Sequence, residues 1–261
     1  MSAASLVPAP AVPSPTPAAP SLGSALSATT IAMLLADARL PVGGHVHSAG
    51  LEPALAAGMH PRLVRGYILG RARSVTLVEA GTAVVARHVA RQSNPDGRPG
   101  ADLTTELGAN LARIDRAWAA RTPSRAVREV SRSLARGYLR LATRLWPGEP
   151  AIEACVEAPA PFSRPVLVGV IAAAAGLDAL SLVRLVAYDD AQTIAAATLK
   201  LEPLDPVVPP SWVLDACAQV EDDVDWIATL TSPDAIPALG APETEGWAEA
   251  HSRTTQRLFR A

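Results

Sequence analysis

The chain has 261 residues, with 23 basic and 25 acidic side chains and a formal net charge of −2; it is long enough to bury a core and too balanced for a general nucleic-acid binder. Alanine occupies 52 positions and aromatics are only 4%, so helix formers dominate and the residues that suit strands are thin, which argues against an all-β protein. The charge is unevenly spread: 17 basic and 9 acidic residues up to Pro150, then 6 basic and 16 acidic from Ala151 on, and Lys200 is the single lysine beside 22 arginines.

Residues 1–28 carry Pro8, Pro10, Pro13, Pro15, Pro17 and Pro20 among Ala and Ser and read as a disordered tail that could contribute little to a core. The first helical pattern starts at Thr29-Thr30 with Ile31, Met33, Leu34 and Leu35, and stops at Arg39-Leu40-Pro41, since the residue before a proline is pushed out of the α region. After the Val42-Gly43-Gly44 turn, a second helix is expected from His47-Ser48 to Gly58. Apolar positions from Pro61 to Gln92 describe one long helix or two abutting ones. Residues 93–100 form a loop on composition, and Asp102 opens a helix reaching Trp118.

The clearest helix runs from Pro123 to Trp146. Val127, Val130, Leu134, Tyr138, Leu141 and Leu145 recur at helical spacing, and Thr122 or Ser124 can cap its start. A Pro-rich connector follows, then a buried helix over Val166–Ala175 and a long one over Leu180–Leu201. Pro203, Pro206, Pro209 and Pro210 interrupt the chain. A helix with an acidic side spans Trp212–Leu230, and the last spans Thr244–Phe259. The expectation is an all-α fold: one compact bundle of about nine or ten helices over 29–261, behind the 1–28 tail.

Cys155 and Cys217 sit in no CxxC or Cys/His cluster and read as small buried hydrophobes. The N-terminus lacks a basic region before Arg39 and does not read as a signal peptide. The apolar stretch Pro165–Leu177 is shorter than the roughly 20 residues of a membrane span. A cytoplasmic protein without a membrane segment is expected. No P-loop, HExxH, GxSxG or GxGxxG occurs, so no common enzyme class is announced and no cofactor is implied.

Three local features could carry function. The first is the segment Leu34–Glu52, a helix, a Gly-Gly turn and a second helix. His45-x-His47 within it could offer two imidazoles to a metal, or His47 could be a capping or buried hydrogen-bonding histidine. The second is an arginine stripe of Arg121, Arg125, Arg128, Arg132, Arg136, Arg140 and Arg144. It reads as a solvated face, a surface for an acidic partner, or a nucleic-acid contact. The third, Glu221-Asp222-Asp223-x-Asp225, lacks the ligand spacing of a calcium loop and reads as a solvated or partner-facing helix side.

The first segment resembles the N-terminal signature of the UreF urease accessory protein family, on Leu34, Asp37, Pro41, Val42, Gly43, Gly44, His47, Ser48, Gly50, Leu51 and Glu52. Further blocks agree in order and spacing. Arg128-Glu129-Val130-Ser131 with Gly137 is similar to the family's Arg-Glu-x-Ser helix, and Pro165-Val166 with Gly169 to its Pro-Val-x-x-Gly segment. Leu199-Lys200-Leu201-x-Pro203-Leu204 is similar to its basic-Leu-x-Pro-Leu block, and His251 with Arg257-Leu258-Phe259 to its C-terminus. His45, Ser163-Arg164, Asp205-Pro206, Ser252 and Ala261 depart from the family pattern and bear on partner contacts more than on fold.

The resemblance implies a non-enzymatic, helical, dimerising chaperone of urease maturation. Such a protein bridges UreD, which touches the urease apoenzyme, and UreG, the GTPase that delivers nickel. By the same resemblance Lys200 belongs to a surface engaging the GTPase. His251, Arg257, Leu258 and Phe259 belong to a segment that orders against UreD. The full partner-binding expectation adds His47, Ser48, Glu52, Arg128 and Glu129; no catalytic residue and no metal ligand is assigned. The rival reading is an Arg-striped helical regulator that binds nucleic acid.

Overall fold

A computed structural model of the chain describes residues 26–44, 47–92, 101–254 and 258–259, the side chains of 101 and 102 excepted. Residues 1–25 of the expected tail, the loop 93–100, His45 and Arg257 lie outside the described residues. Eleven α-helices are present among the described residues, with no strand: α1 (Ala28–Leu35), α2 (Leu51–Ala56), α3 (Val64–Ala72), α4 (Val75–Gln92), α5 (Ala101–Ala120), α6 (Arg125–Leu145), α7 (Pro150–Glu157), α8 (Arg164–Ala174), α9 (Ala179–Leu201), α10 (Pro209–Ala228) and α11 (Pro242–Ser252). The all-helical fold agrees with the composition.

The helix starts follow local chemistry. The Ser27 side chain accepts from the Thr30 N–H and opens α1, and Asp178 does the same for α9 through Ser181. Both satisfy amide groups that no intrahelical carbonyl reaches. Proline behaves differently from the sequence expectation. Pro150 opens α7 inside the supposed connector, and Pro209 and Pro210 form the first turn of α10 instead of preceding it. At a first-turn position the missing N–H costs nothing and the fixed φ suits the helix. The 61–92 stretch is two helices, parted at Arg73-Ser74, where the Ser74 hydroxyl donates back to the Gly70 carbonyl.

Helices α4 and α8 form the centre, α9 packs along α4, and α10 lies on α9 and α3. Residues Thr76–Ala86 of α4 and Pro165–Ala172 of α8 are buried all round. Gly169 lets these two helices touch: a methyl group there would run into the Ala83 carbonyl. On α6 the packed face differs from expectation. Ala126, Ser131, Ala135, Tyr138 and Ala142 are buried, whereas Val127, Val130, Leu134, Leu141 and Leu145 are half-buried. Small side chains let α6 approach its neighbours closely, and Val127, Val130 and Leu134 beside them border a cavity. Cys155 is buried, as expected, but Cys217 is only half-buried.

Candidate partner-binding site

The turn between α1 and α2 is fastened from two sides. Gly137 on α6 lies against Val42, so closely that a methyl group would strike the Val42 carbonyl. On the other side the Tyr67 hydroxyl donates to the Ala49 carbonyl at 2.8 Å. Ala49 and Gly50 both adopt positive φ, 49° and 83°. A Cβ at Gly50 would sit 2.7 Å from the Tyr67 oxygen. This left-handed pair delays the second helix to Leu51, later than the expected His47-Ser48 start. Ser48 still serves it: its buried hydroxyl accepts from the Glu52 N–H at 3.2 Å. His47 is also buried, and its N–H donates to the Gly44 carbonyl.

The turn presents Glu52 to the far end of the chain. The Glu52 carboxylate accepts the N–H of Leu258 at 2.6 Å and that of Phe259 at 2.8 Å. His251 Nε2, buried at the end of α11, lies 3.3 Å from Glu52 Oε2, without hydrogen-bond alignment. Phe259 is buried and Leu258 is exposed. The Lys200 ammonium, from the last turn of α9, stands over the Phe259 ring, 5.1 Å from its centroid. The last helix stops at Ser252, short of the expected Phe259, and Leu258 and Phe259 lie at Glu52. Five candidate residues from four parts of the sequence thus form one cluster: Glu52, Lys200, His251, Leu258 and Phe259. A carboxylate with two backbone amides makes strong, charge-assisted contacts, and the cation over the ring adds about 0.5–1 kcal/mol.

Helix α11 is held from the other side by groups the sequence reading missed. Glu245 accepts the Ser124 N–H at 2.7 Å, and Glu249 accepts the Ala126 N–H at 2.8 Å and the Ser124 hydroxyl at 2.7 Å. Two carboxylates of α11 thereby cap the start of α6, where the helix dipole favours negative charge. The Ala126 amide and the Ser124 hydroxyl hold the Glu249 carboxyl below its ordinary range. The Tyr67 ring faces Trp247 of α11, with centroids 6.4 Å apart.

Beneath α11 lies a cavity of about 90 Å³, bordered by Val127, Val130 and Leu134 of α6 and by His47, Gly50 and Ala248. Its floor is a buried ion network. Arg71 binds Asp190 through two guanidinium nitrogens, at 2.6 and 3.1 Å, and Thr76 donates to the same carboxylate at 2.8 Å. Arg164 pairs with both Glu79 and Asp189. Burial opposes the charge on Asp190, but Arg71 outweighs it and holds the carboxyl below its ordinary range. For Asp189 burial wins over Arg164, and its pKa is raised. Paired and hydrogen-bonded, these charges fix α3, α4, α8 and α9 in register; such a network is costly to break at one member.

Arg128 and Glu129 are engaged elsewhere. Arg128 donates to the carbonyls of Thr122 and Pro123, both at 2.6 Å, and Glu129 pairs with Arg125 on the exposed side of α6. The rest of the stripe divides. Arg121 donates to the carbonyls of Ala117, Asp234 and Ile236. Arg132 reaches Asp115 and lies 5.9 Å from the centre of the Trp118 ring. In the acidic feature, Glu221 is bound by Arg184, and Asp223 accepts the Trp226 indole N–H. Among the described residues no three His, Cys, Asp or Glu side chains are placed to hold a metal ion, and no helix is long and apolar enough to cross a membrane.

Comparison with known proteins bears on this arrangement. The UreF family model matches residues 60–208. The chain is 33% identical to the urease accessory protein UreF of Mycobacterium sp. strain JLS over 236 residues, 90% of this chain and 99% of that protein. It is 39% identical to the UreF of Mycobacterium marinum over 239 residues, 88% of this chain and 99% of the relative. With the UreF of Mycobacterium tuberculosis it shares 32% identity over 240 residues, 90% and 99% respectively.

Proposed function

Because this chain belongs to the UreF family of urease accessory proteins, we propose that it serves urease maturation as a non-catalytic scaffold in the cytoplasm. In this reading it bridges UreD to the GTPase UreG, acts as a homodimer, and regulates GTP hydrolysis and nickel insertion into the urease apoenzyme. Residues 29–261 act as one helical unit behind the 1–28 tail. The observation that supports this reading best is the cluster built on Glu52. It joins the N-terminal signature, the basic block at Lys200 and the C-terminal His251, Leu258 and Phe259. Those are three of the five blocks in which the family resemblance lies, brought together although they are far apart in sequence. Leu258 and Phe259 lie outside the helices and are held through backbone N–H groups and a ring, which makes them suitable elements for exchange with a partner, since such segments open more readily than packed helices.

Co-purification with UreD and UreG homologues tests the reading. At micromolar concentration, with GTP and magnesium, the chain is expected to carry both proteins through size exclusion. Lys200→Ala is expected to weaken UreG retention while leaving the UreD complex intact. Absence of both partners from the complex contradicts the scaffold role, and equal loss of both in the variant contradicts the assignment of the Lys200 surface.

A further inference from the structure

The arginine stripe, which starts at Arg121 before α6 and continues along that helix, is two features of different kind. Its first four members are occupied within the fold: Arg121 and Arg128 by backbone carbonyls, Arg125 by Glu129, and Arg132 by Asp115 and Trp118. The last three, Arg136, Arg140 and Arg144, are exposed and have no carboxylate partner among the described residues. Spaced four residues apart, they fall within an arc of about 80° and rise through about 12 Å along the helix. Like charges at this spacing repel and weaken a helix. Among the described residues no acidic side chain forms an ion pair with any of the three.

We propose that Arg136, Arg140 and Arg144 form a docking surface for the acidic face of a protein partner. Guanidinium groups are suited to this because each can take a carboxylate through two parallel hydrogen bonds. The half-buried Leu141 borders the ladder and adds apolar area at its edge. A protein fits better than a nucleic acid. The cationic stretch is short, Glu149 and Glu153 follow at the end of α6, and the whole chain carries a net charge of −2. The phosphate backbone would meet no extended basic field. Such a surface chiefly accelerates and orients encounter, so its signature is a salt-sensitive contribution to association.

The test uses the full chain, fluorescein-labelled poly-L-glutamate of about 20 residues, and a 20-base-pair DNA duplex, followed by anisotropy at low and moderate salt. The variant R136E/R140E/R144E is compared with R62E/R73E/R91E, which changes net charge equally at exposed arginines on other elements. Should the first fail to fold by circular dichroism, R136Q/R140Q/R144Q replaces it. The expected result is binding of poly-L-glutamate that weakens with salt, falls about tenfold or more in the ladder variant, and changes little in the control. Equal loss in both variants, no loss in the ladder variant, or tighter binding of DNA than of poly-L-glutamate overturns the proposal. No urease component enters the assay, so its failure leaves the maturation reading untouched, and failure of that reading leaves the ladder standing.

Discussion

The carboxylate of Glu52 accepts the backbone N–H of Phe259, a residue 207 positions further along the chain. Through the adjoining Leu258 amide the same side chain holds two successive residues. A turn near the start of the fold, shaped by Ala49 and Gly50 in the left-handed region, therefore fixes the end of it.

Removing that carboxylate should free the tail without unfolding the helices. In Glu52→Ala, hydrogen exchange at the Leu258 and Phe259 amides is expected to rise roughly tenfold or more, since hydrogen bonds to a charged group contribute about 1.5–3 kcal/mol. Lys200→Ala should raise it by a smaller factor, about two- to fivefold, in line with a cation–π contact. Exchange mass spectrometry of the C-terminal peptide reads both. Unchanged protection in Glu52→Ala would remove the contact from the account.

Gly137 and Gly169 are predicted to be intolerant of a single methyl group. At both positions the added Cβ meets backbone carbonyl, of Val42 and Ala83 respectively, and backbone cannot rotate away. Gly137→Ala and Gly169→Ala should each lose about 1–3 kcal/mol, as overpacked sites do. Gly66→Ala and Gly70→Ala, on α3 with open space around the added atom, should instead gain up to about 1 kcal/mol from helix propensity. Chemical denaturation of the four variants distinguishes close approach from propensity.

The two neighbouring aspartates beneath α11 should respond unequally to neutralisation and oppositely to acid. Asp190 is held below the ordinary carboxylate range. Its stabilisation is therefore present above the unfolded value of about 4 and is lost as pH falls through the lower folded value. Asp189 is raised, so its ionised form is a burden at neutral pH, and protonation on the way down to about pH 4 relieves it. Asp190→Asn leaves Arg71 unpaired and should lose about 3–5 kcal/mol. Asp189→Asn should lose clearly less, because Arg164 keeps Glu79, and should flatten the weakly acidic part of the stability profile. Urea denaturation at pH 7 and pH 5 checks the ordering; equal losses would contradict it.

What the sequence revealed and what it concealed follow from the range of the forces involved. The start of α6 was legible because Ser124 caps its own helix, at Val127, three residues on. Its completion by Glu245 and Glu249 was not, because those carboxylates arrive from more than 120 residues away. Periodicity found α6 but chose its larger side chains as the buried face, whereas close packing selected Ala126, Ala135 and Ala142. Proline has two meanings that sequence alone does not separate: Pro150 and Pro209 look like breaks and are first-turn residues. Helical spacing continues to Phe259 although α11 ends at Ser252, because spacing carries no information about Glu52. Glu52, Lys200, His251 and Phe259 could be named from the family pattern, but their meeting at one place could not.

The most direct test of the central claim is urease activation in cells. A strain lacking its own UreF is given this chain together with the cognate UreD, UreG and urease subunits, and nickel-dependent urease activity is measured. The account predicts that activity returns with the intact chain and falls markedly with Glu52→Ala or Lys200→Ala, at equal levels of folded protein. Activity that stays at background with the intact chain would contradict the maturation role, and full activity in both variants would remove the Glu52 cluster from it.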